Sequence, residues 1–468
     1  MIKEMNKLAD LPIIQKDKTI KDAMKEINDI GYGIVFVVKD NNKFIGLLSD
    51  GDIRRALLNG IRLNEKVNRI MIVDCIKIYN SWSNEKIQNY LNQPEIKRKI
   101  PKLKALIIPI LDQNEILIGI KSIFRKEASY IFQELPQKAT PNKILVIGGA
   151  GYIGSVLVRD LLELDYNVKV FDNLLYGDHG IKDLYSNEKF ELFQGDITNI
   201  SDIVEAMSDV DAVVHLAAIV GDPAGKLKPK ETLKINYFST RTLGEVAKYL
   251  GLSKFVMAST CSVYGFQEEK CKENSNTNPL SLYAETKLIS EQSLLDLTGD
   301  GFSPTILRFA TAFGLSYRMR FDLVVNLLIA KAFIDKEITV FGQGTQIRPF
   351  VHIKDISYAI IKVLEANNEK ISGEIFNVGS ERLNLSIKKL SKIIKKRVPG
   401  SQLNFIKEQE DDRSYNVSFE KIEEALGFRP KYSIERAVEE IKNAFKNQRI
   451  KFPYTDKTYN NFKSLKEG

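Results

Sequence analysis

The chain is poor in the residues that carry metal and disulfide chemistry: its 468 residues include three cysteines and three histidines. Cys75, Cys261 and Cys271 form no C-x-x-C pair, and their odd number leaves one without a mate. No disulfide framework is expected, and a reduced, cytoplasmic setting fits this usage. His179, His215 and His352 stand apart with no thiol cluster beside them, so no transition-metal site is expected. Also missing are a run of about 18 apolar residues and a charged-then-apolar leader after Met1; no membrane partner is expected. Long single-sign charge runs are absent too. The net charge of +8 comes almost wholly from the front of the chain, where 24 lysines and arginines face 17 acids through Pro141, against 44 and 43 thereafter. That excess is scattered, with Lys97-Arg98-Lys99 its one basic run, so a solvated surface is expected rather than a nucleic-acid partner.

What is present is a chain long enough for two or three domains, with 44% apolar residues to fill their cores. Residues 129–141 read as a linker, since Glu134–Pro141 carries two prolines and little apolar periodicity. Behind it, Lys143–Ile147 is a short apolar run of buried-strand type, followed by glycines and a helix. Further strand candidates follow at Val168–Phe171, Ala212–Leu216, Lys254–Ala258, Thr305–Phe309 and Ile338–Phe341, with helical stretches between several of them. The alternation predicts an α/β fold, a parallel sheet covered by helices. The front has another rhythm. A helix at Thr19–Ile27, a strand at Gly33–Val38, a turn at Asp40–Lys43 and a strand at Phe44–Leu48 recur loosely as Asn84–Leu91, Ala105–Leu111, Asp112–Asn114 and Ile116–Ile120. This is an internal repeat.

Gly148, Gly151 and Gly154 follow the first strand behind the linker and open a helix. Such a turn is tight, lets a pyrophosphate approach the backbone, and directs free N–H groups at its phosphates. Asp172 ends the next strand, 18 residues beyond Gly154, where a carboxylate can bind both ribose hydroxyls. Its charge repels a 2′-phosphate, which favours NAD over NADP as the cofactor. Tyr283 and Lys287, four residues apart, share a helix face. An ammonium and a positive nicotinamide beside the phenol are expected to lower its pKa toward working pH, so that Tyr283 can take a proton from an alcohol.

The stretches GGAGYIGS (148–155), FDNLLYG (171–177), GDI (195–197), HLAA (215–218), STCSVYG (259–265), YAETK (283–287), LRFATAFG (307–314), RPFVHIKD (348–355) and FNVGS (375–379) carry a resemblance. Residues 142–450 resemble an extended short-chain dehydrogenase/reductase of the nucleotide-sugar epimerase/dehydratase kind. The resemblance implies a Rossmann-type doubly wound sheet, a smaller C-terminal substrate-binding part, and residues 451–468 as a tail. It implies that Tyr152, Ile153 and Asn173 join the glycines and Asp172 around NAD, that Asp196 and Ile197 flank the adenine, and that Ala217 and Ala218 line the cofactor. Thr260 would hydrogen-bond the reacting oxygen, Tyr283 would serve as the acid/base, and Lys287 would also hold the nicotinamide ribose. Asn326, Arg348 and Arg413 would grip the diphosphate or ribose of a nucleotide-diphosphate sugar. A homodimer or higher homo-oligomer is expected.

In 4,6-dehydratases of this family acidic residues follow the threonine; here Cys261 and Ser262 stand there, which disfavours dehydration. Cys261 reads as packing. Oxidation at C4 remains, with the hydrogen returned to the opposite face (a 4-epimerase) or passed on (a 4-dehydrogenase with net NADH output). The front, residues 1–128, resembles a tandem CBS pair of α+β build. In that resemblance Thr19, Ser49, Asp52 and Arg55 would hold an adenine nucleotide. The second copy, Gly119–Lys126, lacks the aspartate. A nucleotide-sensing regulatory protein is therefore the non-enzymatic alternative.

Overall fold

The computed structural model describes residues 11–30, 34–49, 52–53, 56, 61–99, 106–123, 141–299, 301–406, 414–450 and 453–467. The chain divides into two compact units, Met1–Glu134 and Leu135–Gly468.

The first unit is built twice over. Ile13–Gln15 pairs parallel with Ile34–Lys39, which pairs antiparallel with Lys43–Ser49 across a bulge at Val37/Val38. Ile78–Tyr79, Leu106–Leu111 and Leu117–Ile123 repeat that pattern, down to a register shift at Ile110/Leu111. Each copy sets a helix between its first two strands, Ile20–Ile30 and Asn84–Asn92. Ser83 caps the second of these, accepting from the Lys86 N–H. Phe36, Val38 and Leu47 of one copy and Leu111 and Leu117 of the other bury into one cluster. Neither copy covers its apolar face alone.

The second unit is organised on a seven-stranded sheet: β1 (Lys143–Ile147), β2 (Asn167–Asp172), β3 (Phe190–Gln194), β4 (Ala212–His215), β5 (Lys254–Thr260), β6 (Ser303–Phe309) and β7 (Ile375–Val378). All neighbours are parallel, in the order β3-β2-β1-β4-β5-β6-β7. Successive side chains of β1 enter opposite cores. Ile144 and Val146 join Leu157, Val168 and Val170, while Leu145 and Ile147 join Phe171, Val213 and Phe255. Burial on both faces is why these strands are near-continuous apolar runs. Edge strand β3 is only partly buried, so its Phe-Glu-Leu-Phe-Gln lacks that signature.

Ile338–Phe341, read from the sequence as one more strand of the alternation, lies outside this sheet. The strand Glu337–Phe341 pairs parallel with Gln402–Ile406 instead. It belongs to a second core in which Phe313, Val325, Ile329, Leu390, Val438 and Ile441 meet. Residues 453–467, expected as a tail, pack against the rest of the unit: Leu465 buries with Ile219 and Ala224, and Tyr454 joins the second core. Apolar residues at that helical spacing need a partner surface, and the unit supplies one. Among the described residues no helix is long and apolar enough to cross a membrane.

Candidate active site

The strand order reverses between β1 and β4, and a cleft of about 1180 Å³ opens there beyond the carboxyl ends of the strands. This is where open α/β sheets bind ligands. The helix Gly154–Glu163 starts at the cleft with no side-chain cap; from Ser155 onward its N–H groups are bonded to backbone carbonyls, so its positive end, with Tyr152, Ile153 and Gly154, is what faces the cleft. Two glycines make the approach possible. Gly148 has φ +83°, and a Cβ on it would lie 2.7 Å from the Ala217 nitrogen; a Cβ on Gly154 would lie 2.4 Å from the Gly148 carbonyl oxygen. Gly151, Tyr152 and Ile153 complete this wall, and Ala217 and Ala218 face it.

Asp172 ends β2 at the cleft, where its carboxylate accepts from the backbone N–H groups of Ala150 (3.0 Å) and Leu174 (2.9 Å). These bonds fix the carboxylate against the glycine turn. Burial pushes its pKa up, and the two backbone donors oppose that rise. Asn173, Asp196 and Ile197 also line the cleft. The glycine cradle, the uncapped helix start and an oriented carboxylate therefore fit a dinucleotide.

On the facing side, Ser281 caps the helix Leu282–Leu295 by accepting from the Ala284 N–H, which places Tyr283 in the first turn and Lys287 in the second. Tyr283 and Thr260, the last residue of β5, both line the cleft, and the Thr260 hydroxyl is one of the groups that favour the ionised phenol. Lys287, 2% exposed, donates to the Ala258 carbonyl at 2.8 Å. The expected depression of the tyrosine is not met by the protein's own groups. Burial pushes Tyr283 up to about 12, against the charge of Arg320 and the Thr260 hydroxyl, and Lys287 is not among its main influences. The physical reason is that the ammonium is spent on a backbone carbonyl, which leaves the partial desolvation of the phenol uncompensated. Burial also brings Lys287 down to about 8.

The other expected positions divide. Arg348 lines the cleft and donates to its neighbour's carbonyl at 3.1 Å. Asn326 does not reach the cleft: it is fully buried, accepts from the Gly314 N–H, and donates to the Tyr152 hydroxyl and the Arg320 carbonyl, all at 3.0 Å. With its amide satisfied on three sides, it has nothing left for a diphosphate and acts as a latch. Arg413 and Arg55 lie outside the described residues. In the first unit Thr19 and Asp22 cap the helix Ile20–Ile30 reciprocally, at 2.9 Å and 3.2 Å. Ser49 and Asp52 repeat this geometry, the hydroxyl donating to the carboxylate at 2.5 Å. Cys261 is buried and donates to the Arg308 carbonyl, as packing requires, and burial holds its thiol well above the ordinary range.

Sequence reasoning missed a buried network beneath the catalytic strand. Arg308 on β6 binds Glu291 through three nitrogen–oxygen contacts of 2.7, 3.1 and 3.2 Å, with side chains 4% and 2% exposed. Glu291 also accepts from Ser259, the residue before Thr260. Arg308 reaches the Tyr264 hydroxyl at 3.0 Å, which donates to Asn377 at 2.8 Å. One signal was present: Glu291 stands four residues beyond Lys287 on the same helix.

Residues 144–379 match the model of the NAD dependent epimerase/dehydratase family. The chain belongs to this family. Residues 2–59 match the CBS domain model, which covers the first repeat of the front unit. UDP-glucuronate 4-epimerase of Thermodesulfobacterium geofontis is 33% identical over 316 residues, 64% of this chain and 94% of that protein. UDP-glucuronic acid decarboxylase 1 of Xenopus tropicalis is 26% identical over 412 residues, 84% and 92% of the two chains. Among solved structures, the UDP-glucuronic acid 4-epimerase from Bacillus cereus, in complex with UDP-glucuronic acid and NAD, is 31% identical. It superposes with a TM-score of 0.59 over 65% of this chain and 99% of its own. The epimerase/dehydratase chain is thus an NAD-dependent enzyme that modifies nucleotide sugars.

Proposed function

We propose that this epimerase/dehydratase oxidises C4 of a nucleotide-diphosphate sugar and acts as a 4-epimerase. The observation that carries the reading is that Thr260, Tyr283 and Lys287 line one wall of the cleft together, with Tyr283 one helix turn before Lys287. NAD, when bound, supplies the two-electron acceptor for the carbinol. Gly148, Gly154 and the helix start behind them hold its phosphates, and Asp172 takes ribose hydroxyls. Thr260 orients the sugar hydroxyl, and Tyr283 accepts its proton and later gives it back. A phenol raised to about 12 by burial stays protonated at neutral pH and can accept the sugar's proton only once a nearby positive charge lowers its pKa and releases its own. Arg320 already acts in this sense, and Lys287, near 8 and one turn away, adds a charge on turning from Ala258. Arg348 binds the diphosphate with its guanidinium fork.

Dehydration is disfavoured because the place of the acid is held by Cys261, a buried thiol bonded to a backbone carbonyl, and by Ser262. Two outcomes share the oxidation step and differ afterwards. Net dehydrogenation leaves NADH. Decarboxylation, the named activity of the Xenopus relative, would follow if the sugar carries a C6 carboxylate. Incubation with UDP-, GDP-, CDP- and dTDP-sugars, followed by NMR and by absorbance at the NADH band, separates them. A C4 epimer without accumulated NADH supports the proposal; stoichiometric NADH, or a pentose with loss of carbon dioxide, overturns it. For the front unit, the match of residues 2–59 to the CBS domain model supports an adenine-nucleotide site. Titrating the full chain with AMP, ADP and ATP under saturating NAD tests it, and absence of any binding heat leaves that unit a scaffold.

A further inference from the structure

Among the described residues Arg318 is the largest side chain that is nearly fully buried, at 1% exposure, and no carboxylate there forms an ion pair with it. One nitrogen, Nη1, donates to the Asn461 side chain, 143 residues away in the C-terminal helix Asn461–Glu467. Nε and Nη2 have no hydrogen-bond partner. The guanidinium lies 4.5 Å from the Tyr176 ring centroid, and Arg318, Asn461, Tyr176 and Asp172 all line the cleft. Buried guanidinium donors left open are rare and expensive, costing several kcal/mol unless an anion completes them. Nearby Arg320 does not share the need, being paired with Asp322 at 2.7 and 2.9 Å. It adds positive charge instead. Burial, with Arg320 beside it, brings Arg318 down to about 10, and the group stays charged at neutral pH.

The neighbours say which end of the cleft this is. Tyr176 lies four residues beyond Asp172, and a Cβ on Gly180 would touch Arg318 Cβ at 2.9 Å and the Ala150 carbonyl oxygen of the glycine turn at 2.9 Å. Arg318 therefore stands against the loop that follows β2 and the turn that follows β1. We propose that Arg318, held by Asn461 and backed by Tyr176, binds a phosphate of the dinucleotide with Nε and Nη2, so that the C-terminal segment clasps the cofactor. This rests on the dinucleotide reading of the cleft. The shared chemistry, an oxyanion on two guanidinium donors, would also suit a carboxylate on the sugar, and the test separates the two.

NAD, ADP-ribose and adenosine are titrated calorimetrically into the full chain and into Arg318→Met, Arg318→Lys and Asn461→Ala variants. Loss of charged hydrogen bonds predicts that Arg318→Met weakens NAD and ADP-ribose at least tenfold and leaves adenosine unchanged. Arg318→Lys recovers part of the loss. Asn461→Ala keeps the charge but frees it, and weakens NAD about threefold; it also serves if Arg318→Met does not fold. Unchanged NAD and ADP-ribose affinity in Arg318→Met overturns the proposal, as does an equal loss for adenosine. Unchanged NAD affinity with a KM raised for UDP-glucuronate but not UDP-glucose would assign the site to a sugar carboxylate. Failure of the wild-type chain to bind NAD would instead overturn the dinucleotide reading itself.

Discussion

Replacing Glu291 by glutamine leaves Arg308 charged in a place without water. The contacts at 2.7, 3.1 and 3.2 Å lose their ionic partner, and both side chains are 4% exposed or less. Burial works against the Arg308 charge, and the Glu291 carboxylate more than offsets it; without that carboxylate the guanidinium, too basic to lose its proton in a protein, stays charged and unpaired. Breaking one side of such a pair costs about 3–5 kcal/mol. With an unfolding entropy of about 2.1 cal/mol/K per residue, the enzyme unit loses about 0.7 kcal/mol per degree, so its melting midpoint falls by about 4–7 °C. Because Glu291 also accepts from Ser259, next to Thr260, kcat should fall while the KM of the nucleotide sugar changes little. Differential scanning calorimetry of Glu291→Gln and of Glu291→Leu/Arg308→Met reads both sides. The double variant, which removes both charges, should melt above the single one. A single variant within 1 °C of wild type would refute the assignment of this pair as the support beneath the catalytic strand.

Gly154→Ala should abolish NAD binding in a titration and lower the melting midpoint, because its methyl would meet the Gly148 oxygen at 2.4 Å and overpacking of this kind costs about 1–3 kcal/mol. Asn326→Ala should destabilise by about 1–3 kcal/mol, since the Gly314 N–H loses its acceptor, while leaving the KM of the nucleotide sugar within threefold of wild type. For Lys287, a folded pKa near 8 lies below its ordinary 10.5, so the folded state resists the charged form. That cost is fully present below pH 8 and is relieved as pH rises toward 10.5. The group therefore contributes about 3 kcal/mol of stability gained across that window. Lys287→Met should flatten this rise in urea midpoint relative to wild type, and an unchanged slope would contradict the burial argument.

The parts of the site visible in the sequence are those set by local geometry. A glycine turn needs its glycines at fixed spacing because Gly148 adopts positive φ and Gly154 touches Gly148, and a tyrosine and a lysine four apart share a helix face by helical pitch alone. Strands buried on both sides announce themselves as apolar runs; edge strand β3 and the four-residue β7 do not. What stayed hidden depends on residues distant in the chain. The Asn326 amide is consumed by Gly314, Tyr152 and Arg320, which no spacing reveals, and Asn461 meets Arg318 across 143 residues. The environment of Tyr283 depends on such a distant contact too. Helix spacing brings Lys287 close, yet the carbonyl of Ala258 on β5 decides where its ammonium points.

The most direct test of the account is Tyr283→Phe, assayed for conversion of the nucleotide sugar by NMR and for NAD affinity by titration. The account predicts that turnover falls by about 10²–10⁴, the ordinary contribution of a positioned acid/base, while NAD affinity is unchanged. Turnover at the wild-type rate in that variant would contradict it.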